Sequence, residues 1–267
     1  MDLQLTGKRA LVTGGSRGIG KAVARALAME GVDVALLARD MEALSQTAKD
    51  IANETGRHVV GVAADTADSV AVREAMIAAE QALGGGIDIL VNAAAEPAGH
   101  QAPPKLAEIT SEYFHHQLDI KVMGYLRTAQ AVATGMKSRG WGRIINISGL
   151  AARNTGNAVG SIRNVAVVAM TKNLADELGT HGINVTAVHP GLTLTERTDA
   201  LVKNTALKRG IDASQVWDEL HSGNSTGRIV SAHEVADVVV FLASPRSRAI
   251  NGDVIAVGGG SPGSIHY

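Results

Sequence analysis

The chain has no cysteine, which removes disulfides, thiolate zinc sites and cysteine nucleophiles together. It has only two Trp, three Tyr and two Phe, too few for a base-stacking platform. Neither charge is in excess: 25 Lys plus Arg stand against 26 Asp plus Glu, a formal net charge of −1. That balance gives no electrostatic footprint for nucleic acid or for an anionic membrane. Long apolar runs are also missing. The longest are strand-length or belong to helix-period segments broken by polar residues, and none approaches the ~20 residues of a membrane span. Met1-Asp2-Leu3-Gln4-Leu5 is too short and too polar for a signal h-region, so the expectation is a cytoplasmic chain without a targeting segment. What is present is 45% hydrophobic and 19% charged residues over 267 positions, enough for a sizeable core.

Short apolar runs alternate with helix-period segments throughout. Strands are expected near 9–13, 33–38, 58–63, 87–92, 143–148, 184–189 and 254–257. Helices are expected near 19–30, 41–54, 69–83, 111–139, 158–180 and 232–243. The strand segments are rich in Val, Ile, Leu and Ala and apolar on both faces, which reads as parallel strands covered on both sides. The expected fold class is therefore α/β: one domain over 1–267, a doubly wound parallel sheet of about seven strands flanked by helices. The stretch 191–227 is polar, with two helix-forming pieces and no expected strand. It hangs off the carboxyl edge of the sheet, where such sheets bind ligands, and reads as a substrate lid.

The first strand ends at Thr13 and runs into Gly14-Gly15-Ser16-Arg17-Gly18-Ile19-Gly20. Glycines permit a tight turn and bring backbone N–H groups close to a diphosphate, while the following helix adds its positive N-terminal dipole. A phosphate loop of the G-x-x-x-x-G-K type fits Gly15 to Lys21, but Ala22 stands where Ser or Thr would hold Mg²⁺. Metal and hydrolase readings are poor. His115 and His116 are adjacent and cannot share one helix face, and no H-E-x-x-H or G-x-S-x-G is present.

Thr13-Gly14-x-x-x-Gly18-Ile19-Gly20 resembles the cofactor loop of the short-chain dehydrogenases/reductases. Asn92-Ala93-Ala94-Ala95 resembles the family's N-A-G segment, and Pro190-Gly191-x-x-x-Thr195 its P-G-x-x-x-T segment. Gly227-Arg228-Ile229 through Gly259-Gly260 resembles its C-terminal stretch. The resemblance covers almost the whole chain and implies a Rossmann-type domain that binds a nicotinamide dinucleotide. It implies cofactor contacts at Gly14, Ser16, Arg17, Gly18, Ile19, Gly20, Asp65, Thr66, Asn92, Ala93, Ala94, Pro190, Gly191, Thr193 and Thr195. It also implies a homo-oligomer, dimer or tetramer, paired through the helices near 111–139 and 158–180.

The end of the second strand separates NADP from NAD. An NAD binder places an acid there for the ribose; this chain has Ala38, followed by Arg39. With Arg17 in the turn, two guanidiniums suit a 2′-phosphate, so NADP is the expected cofactor. Asp40 opposes this charge argument and reads as an N-cap for the next helix. Asp65 is either a contact to the adenine, by resemblance, or a cap for the helix beginning near Ser69.

The family's usual catalytic set is Asn, Ser, Tyr and Lys, and this chain departs from it. No Y-x-x-x-K is present. Counting back along the helix places Gly160 at the tyrosine position and Asn164 at the lysine position. The serine position falls on Gly149, with Ser148 one residue early. The family's Asn falls on Lys121. Asn and Lys are thus exchanged between 121 and 164, and an ammonium at 121 restores positive charge near the nicotinamide ribose. The ordinary alternative for Lys121 is an exposed helix lysine. Gly160 either leaves room for substrate or allows close helix packing. Lys121, Ser148 and Asn164 are the candidate catalytic residues. His100, His189 and His221 are further proton carriers to consider, with Ser161, Arg153, Arg163 and Tyr267 behind them. Three readings stay open: an NADP-dependent oxidoreductase acting on a small alcohol or carbonyl compound with an altered active site, a dinucleotide-binding sensor or partner subunit without turnover, and a lyase or hydratase on the same fold.

Overall fold

Strands that are apolar on both faces need cover on both faces, and the computed structural model, which describes residues 1–96 and 103–262, supplies it. The first half runs β1 (Arg9–Thr13), α1 (Gly18–Met29), β2 (Asp33–Ala38), α2 (Met41–Thr55), β3 (Val59–Ala63), α3 (Ser69–Ala82) and β4 (Ile89–Asn92). There follow α4 (Ser111–Leu118), α5 (Gly124–Arg139), β5 (Gly142–Ile147), α6 (Ala158–Leu178) and β6 (Ile183–Pro190). The last part runs β7 (Thr193–Leu194), α7 (Thr198–Arg209), α8 (Ala213–Ser222), β8 (Val230–Ser231), α9 (Ala232–Ala243) and β9 (Val254–Val257).

Seven strands form one parallel sheet in the order β3-β2-β1-β4-β5-β6-β9. Side chains alternate across it with period two. Val12, Leu36, Val91 and Ile145 pack on the layer of α1, α2 and α9. Their neighbours Leu11, Leu37, Leu90 and Ile144 pack on α3, α5 and α6. Polar caps fix where helices start: the side chains of Asp40, Asp68 and Asn157 accept from the first-turn N–H groups of α2, α3 and α6, each worth about 1 kcal/mol. The strand order reverses between β1 and β4, which places the crevice of such sheets at the carboxyl ends of these two strands.

Two expectations are corrected. The helix expected over 111–139 is interrupted by a π-helical turn, Asp119–Met123. The stretch 191–227, expected to lack a strand, contains β7, which pairs in parallel with β8. Its helices α7 and α8 share a small core of Val202, Ala206 and Val216, separate from the two main ones. Among the described residues no helix is long and apolar enough to cross a membrane.

Candidate active site

The turn after β1 is held by close approaches that leave no room for a side chain at Gly14 or Gly20. Gly14 and Gly18 have φ of 67° and 57°, in the left-handed region that favours glycine. A Cβ on Gly20 would lie 2.2 Å from the Gly14 carbonyl oxygen. The Gly14 N–H donates to Leu37 O at 2.7 Å. Thr13 Oγ1 accepts from the N–H groups of Ala93 and Ala94, both at 3.0 Å, and so fastens the segment after β4 to the turn. At the mouth of α1 the Gly18 N–H donates to Glu196 Oε2 at 3.1 Å. The helix N-terminus thus already holds an anion supplied by the chain itself. The close approaches at Gly14 and Gly20, and a helix N-terminus that accepts a carboxylate, fit the binding of a diphosphate there.

From the turn a cleft of about 980 Å³ runs along the carboxyl ends of the strands. It takes in Gly14, Ser16, Arg17, Gly18, Ile19 and Gly20 of the turn and Arg39 beyond β2. Asp65 and Thr66 beyond β3, Ala93 and Ala94 beyond β4, and Pro190, Gly191, Thr193 and Thr195 beyond β6 complete that side. Asn92 departs from the expectation. Its side chain turns inward, donating to Asn146 Oδ1 at 3.0 Å and accepting from Thr128 Oγ1 at 2.7 Å, and it is fully buried away from the cleft. Asp65 is not the cap of α3. That place belongs to Asp68, while Asp65 accepts from the Ala67 N–H in the preceding loop. Asp40 caps α2 at 3.1 Å from the Ala43 nitrogen. Partial burial, then the neighbouring charges of Arg197 and Arg39, pull the Arg17 pKa down from its ordinary value, while Asp40 and Glu196 oppose them. Three guanidiniums, Arg17, Arg39 and Arg197, thus stand with the carboxylates of Asp40 and Glu196 at this end of the cleft.

At the opposite end the structure brings Lys121, Ser148 and Asn164 together. Lys121 is 4% exposed, so it is not the ordinary surface lysine. It lies in the π-helical turn between α4 and α5, a distortion of helix geometry frequent at functional sites. Its Nζ donates to Asn164 Oδ1 and to the Ser148 carbonyl oxygen, both at 2.8 Å. Burial, then the nearby Arg163 charge, push its pKa down to about 7. An ammonium has three N–H bonds, and the described residues accept two of them. Ser148 lies just past the end of β5, where strand alternation no longer sets its direction, and its hydroxyl is committed to the Asn164 carbonyl oxygen at 3.0 Å.

Gly160 leaves less space than a missing phenol suggests. A Cβ there would come within 2.6 Å of the Asn157 amide, whose Oδ1 accepts from the Gly160 N–H at 2.8 Å. The cap of α6 lies directly over the glycine. His189 is buried, and its Nδ1 accepts from the Gly149 N–H at 3.2 Å, which puts the ring proton on Nε2. Burial, then the charges of Arg153 and Lys121, hold its pKa down at about 4, so the ring is neutral. His221 stacks near Trp217, with ring centroids 5.6 Å apart, and does not line the cleft. The Ser161 hydroxyl is spent on Asn154 O at 2.9 Å. His100 and Tyr267 lie outside the described residues. Among the described residues no group of His, Asp or Glu is placed to hold a metal ion.

Comparison with known proteins agrees with this architecture. The profile of the family described as Enoyl-(Acyl carrier protein) reductase matches residues 14–261. The short-chain reductase protein NovJ of Streptomyces niveus is 36% identical over 254 residues, covering 95% of this chain and 93% of that protein. The 3-oxoacyl-[acyl-carrier-protein] reductase FabG of Vibrio cholerae is 33% identical over 260 residues, with coverage of 97% and 98%. Among solved structures, L-sorbose reductase of Gluconobacter frateurii superposes with a TM-score of 0.91 at 29% identity, over 99% of this chain and 100% of its own. The chain belongs to the short-chain dehydrogenase/reductase family, a family of nicotinamide-dependent oxidoreductases.

Proposed function

We propose that this chain is an NADP(H)-dependent oxidoreductase interconverting a small alcohol and its carbonyl compound, with Lys121 as the proton-handling group in place of the family's tyrosine. The observation that carries this reading is the buried Lys121 Nζ, 2.8 Å from Asn164 Oδ1 on the wall of the cleft. The Gluconobacter reductase was solved with NADPH and L-sorbose, and the actinorhodin polyketide ketoreductase with NADPH. Together with Arg17 and Arg39 they support NADP(H) as the cofactor.

Thr13, Gly14 and Gly18 hold the diphosphate turn, and Arg17 and Arg39 neutralise the 2′-phosphate. The bound coenzyme supplies or accepts the hydride. In reduction Lys121 gives its proton to the carbonyl oxygen, so that one C–H and one O–H bond replace the C=O π bond. In oxidation the neutral amine takes the hydroxyl proton back. Asn164 Oδ1 and Ser148 O aim the ammonium. A pKa near 7 suits both directions. The stretch 191–227 acts as the substrate lid, with Leu192, Leu201 and Leu220 on its cleft side.

The reading is tested by incubating the NADPH-loaded protein with a broad set of aldehydes and ketones. Oxidation of NADPH by some member is expected. A second reading, a coenzyme-binding partner subunit without turnover, rests on the proton-donating position at 160 being glycine under the Asn157 cap; NADPH binding with no member oxidising it would favour that reading. A dimer or tetramer is also proposed. Ile162 and Val165 of α6 and Met123 of the π-helical turn are exposed apolar residues, and light scattering that returned a monomer at micromolar chain would contradict an assembly there.

Glu196 yields a separate expectation. Its carboxylate stands on the Gly18 N–H that a diphosphate needs, so Glu196→Gln is expected to tighten NADPH binding by about three- to tenfold. Unchanged or weaker affinity in a fluorescence titration would remove Glu196 as a competitor.

A further inference from the structure

The cleft carries a second cation that the proton chemistry does not use. Arg163 lies one residue before Asn164 on α6 and lines the cleft. Its Nη1 donates to Gln117 Oε1. Gln117 in turn donates through Nε2 to Glu96 Oε2 at 2.6 Å, and the other Glu96 oxygen lies 2.9 Å from His116 Nε2. The nearby acid is therefore held by His116 and Gln117 and reaches Arg163 only through space. Among the described residues Arg163 makes no ion pair, its Nη2 has no hydrogen-bond partner, and its Nε is buried without one.

A guanidinium in this condition lacks the planar, two-oxygen partner it matches best. Gln117 braces it from one side through a single N–H, and Gln117 is itself fixed by Glu96, so the fork is held in place before any ligand arrives. Lys121, the neighbouring cation, adds to the positive field of this end of the cleft. A carboxylate bound at the unpartnered Nη2 would pair the guanidinium and separate the two like charges electrostatically.

We propose that Arg163 receives a carboxylate of the substrate, so that the cleft takes an oxo acid in the oxidised form and a hydroxy acid in the reduced form. This rests on the oxidoreductase reading above and names the substrate class for it. Arg163 is then a specificity-determining residue, and Gln117 and Glu96 are its positioning residues.

The test titrates paired probes into the NADPH-saturated protein: 2-oxobutanoate and 3-oxobutanoate, each against its neutral ethyl ester. Nicotinamide fluorescence reads binding, and loss of the reduced-nicotinamide absorbance reads turnover. The acids are expected to bind at least about tenfold more tightly than their esters, and Arg163→Gln is expected to lower that acid-over-ester ratio by about tenfold or more. Arg163→Lys, which keeps the charge without the fork, is expected to fall between. If Arg163→Gln loses its affinity for NADPH as well, Arg163→Lys carries the comparison. Equal binding of acids and esters by the wild type, or an acid preference that survives both substitutions, would overturn the proposal. So would a protein that binds none of the four probes. Acids that bind selectively without NADPH oxidation would uphold the carboxylate site and count against the oxidoreductase reading; a chain that binds no NADPH would overturn that reading and this inference with it.

Discussion

Lys121→Met is expected to lower turnover by ~10²–10⁴-fold while changing the Kd for NADPH by no more than about threefold. The substitution keeps the length and the apolar stem of the side chain and deletes only the titrating nitrogen. The pH profile checks the role independently. With its pKa near 7, Lys121 is the protonated acid needed for reduction below that pH and the neutral base needed for oxidation above it. The kcat/KM for reduction is therefore expected to fall above about pH 7, and that for oxidation to rise through the same value. Both limbs should be missing from the residual activity of Lys121→Met. A variant with wild-type rates, or a wild type whose limbs lie far from neutrality, would remove Lys121 from the proton path.

Stability gives a control with a definite sign. Folding moves Lys121 from its ordinary 10.5 to about 7, which costs about 5 kcal/mol wherever the group is charged in the unfolded chain and protonated in the folded one. Between about pH 7 and 10.5 the unfolded chain binds the extra proton, so the lysine's contribution to stability rises with pH across that window. Below pH 7 the penalty is complete. Lys121→Met is thus expected to unfold at no lower urea concentration than the wild type at pH 6, which separates lost chemistry from a lost fold.

The second large effect concerns coenzyme choice. Arg17→Ser and Arg39→Ser are each expected to weaken NADPH binding by about tenfold, with the double variant about a hundredfold weaker, while NADH binding stays within about threefold. The reason is local. Both guanidiniums line one end of the cleft, and the Arg17 pKa is lowered first by burial, then by the charges of Arg197 and Arg39, against the opposing pull of Asp40 and Glu196. A 2′-phosphate relieves the repulsion between the arginines; a bare ribose does not. Equal losses for the two coenzymes would mean that the arginines hold the common diphosphate and carry no discrimination.

Much of the fold is legible in the sequence because its signals are local. The expected strands at 9–13, 33–38 and 254–257 coincide with β1, β2 and β9, and the helix expected over 232–243 coincides with α9. Apolar runs, glycine turns and Asp caps act over a few residues, and the parallel sheet follows from strands apolar on both faces. The π-helical turn was not legible, because Asp119–Met123 reads as ordinary helix and only packing decides its pitch. Two-residue strands such as β7 and β8 carry no periodicity at all.

The site divides along the same line. The glycine turn and the exchange of residues at 121 and 164 are visible as motif spacings, and the 2.8 Å contact between Lys121 and Asn164 lies where that exchange places it. Contacts that join distant segments through side chains were not visible. Asn92 turns toward Asn146, Asn157 covers Gly160, and Glu196 reaches the mouth of α1 from 178 residues away. The bracing of Arg163 by Gln117 and Glu96 has no sequence signature for the same reason, since it needs α4, α6 and the segment after β4 side by side.

Coenzyme recognition as proposed requires that the turn after β1 grip a dinucleotide whose extra phosphate meets Arg17 and Arg39. Titrating the wild-type chain with NADPH and with NADH, under one buffer and ionic strength and read by nicotinamide fluorescence, tests it most directly. Binding of both is expected, with NADPH at least about tenfold tighter. Binding of neither, or NADH binding as tightly as NADPH, would contradict it.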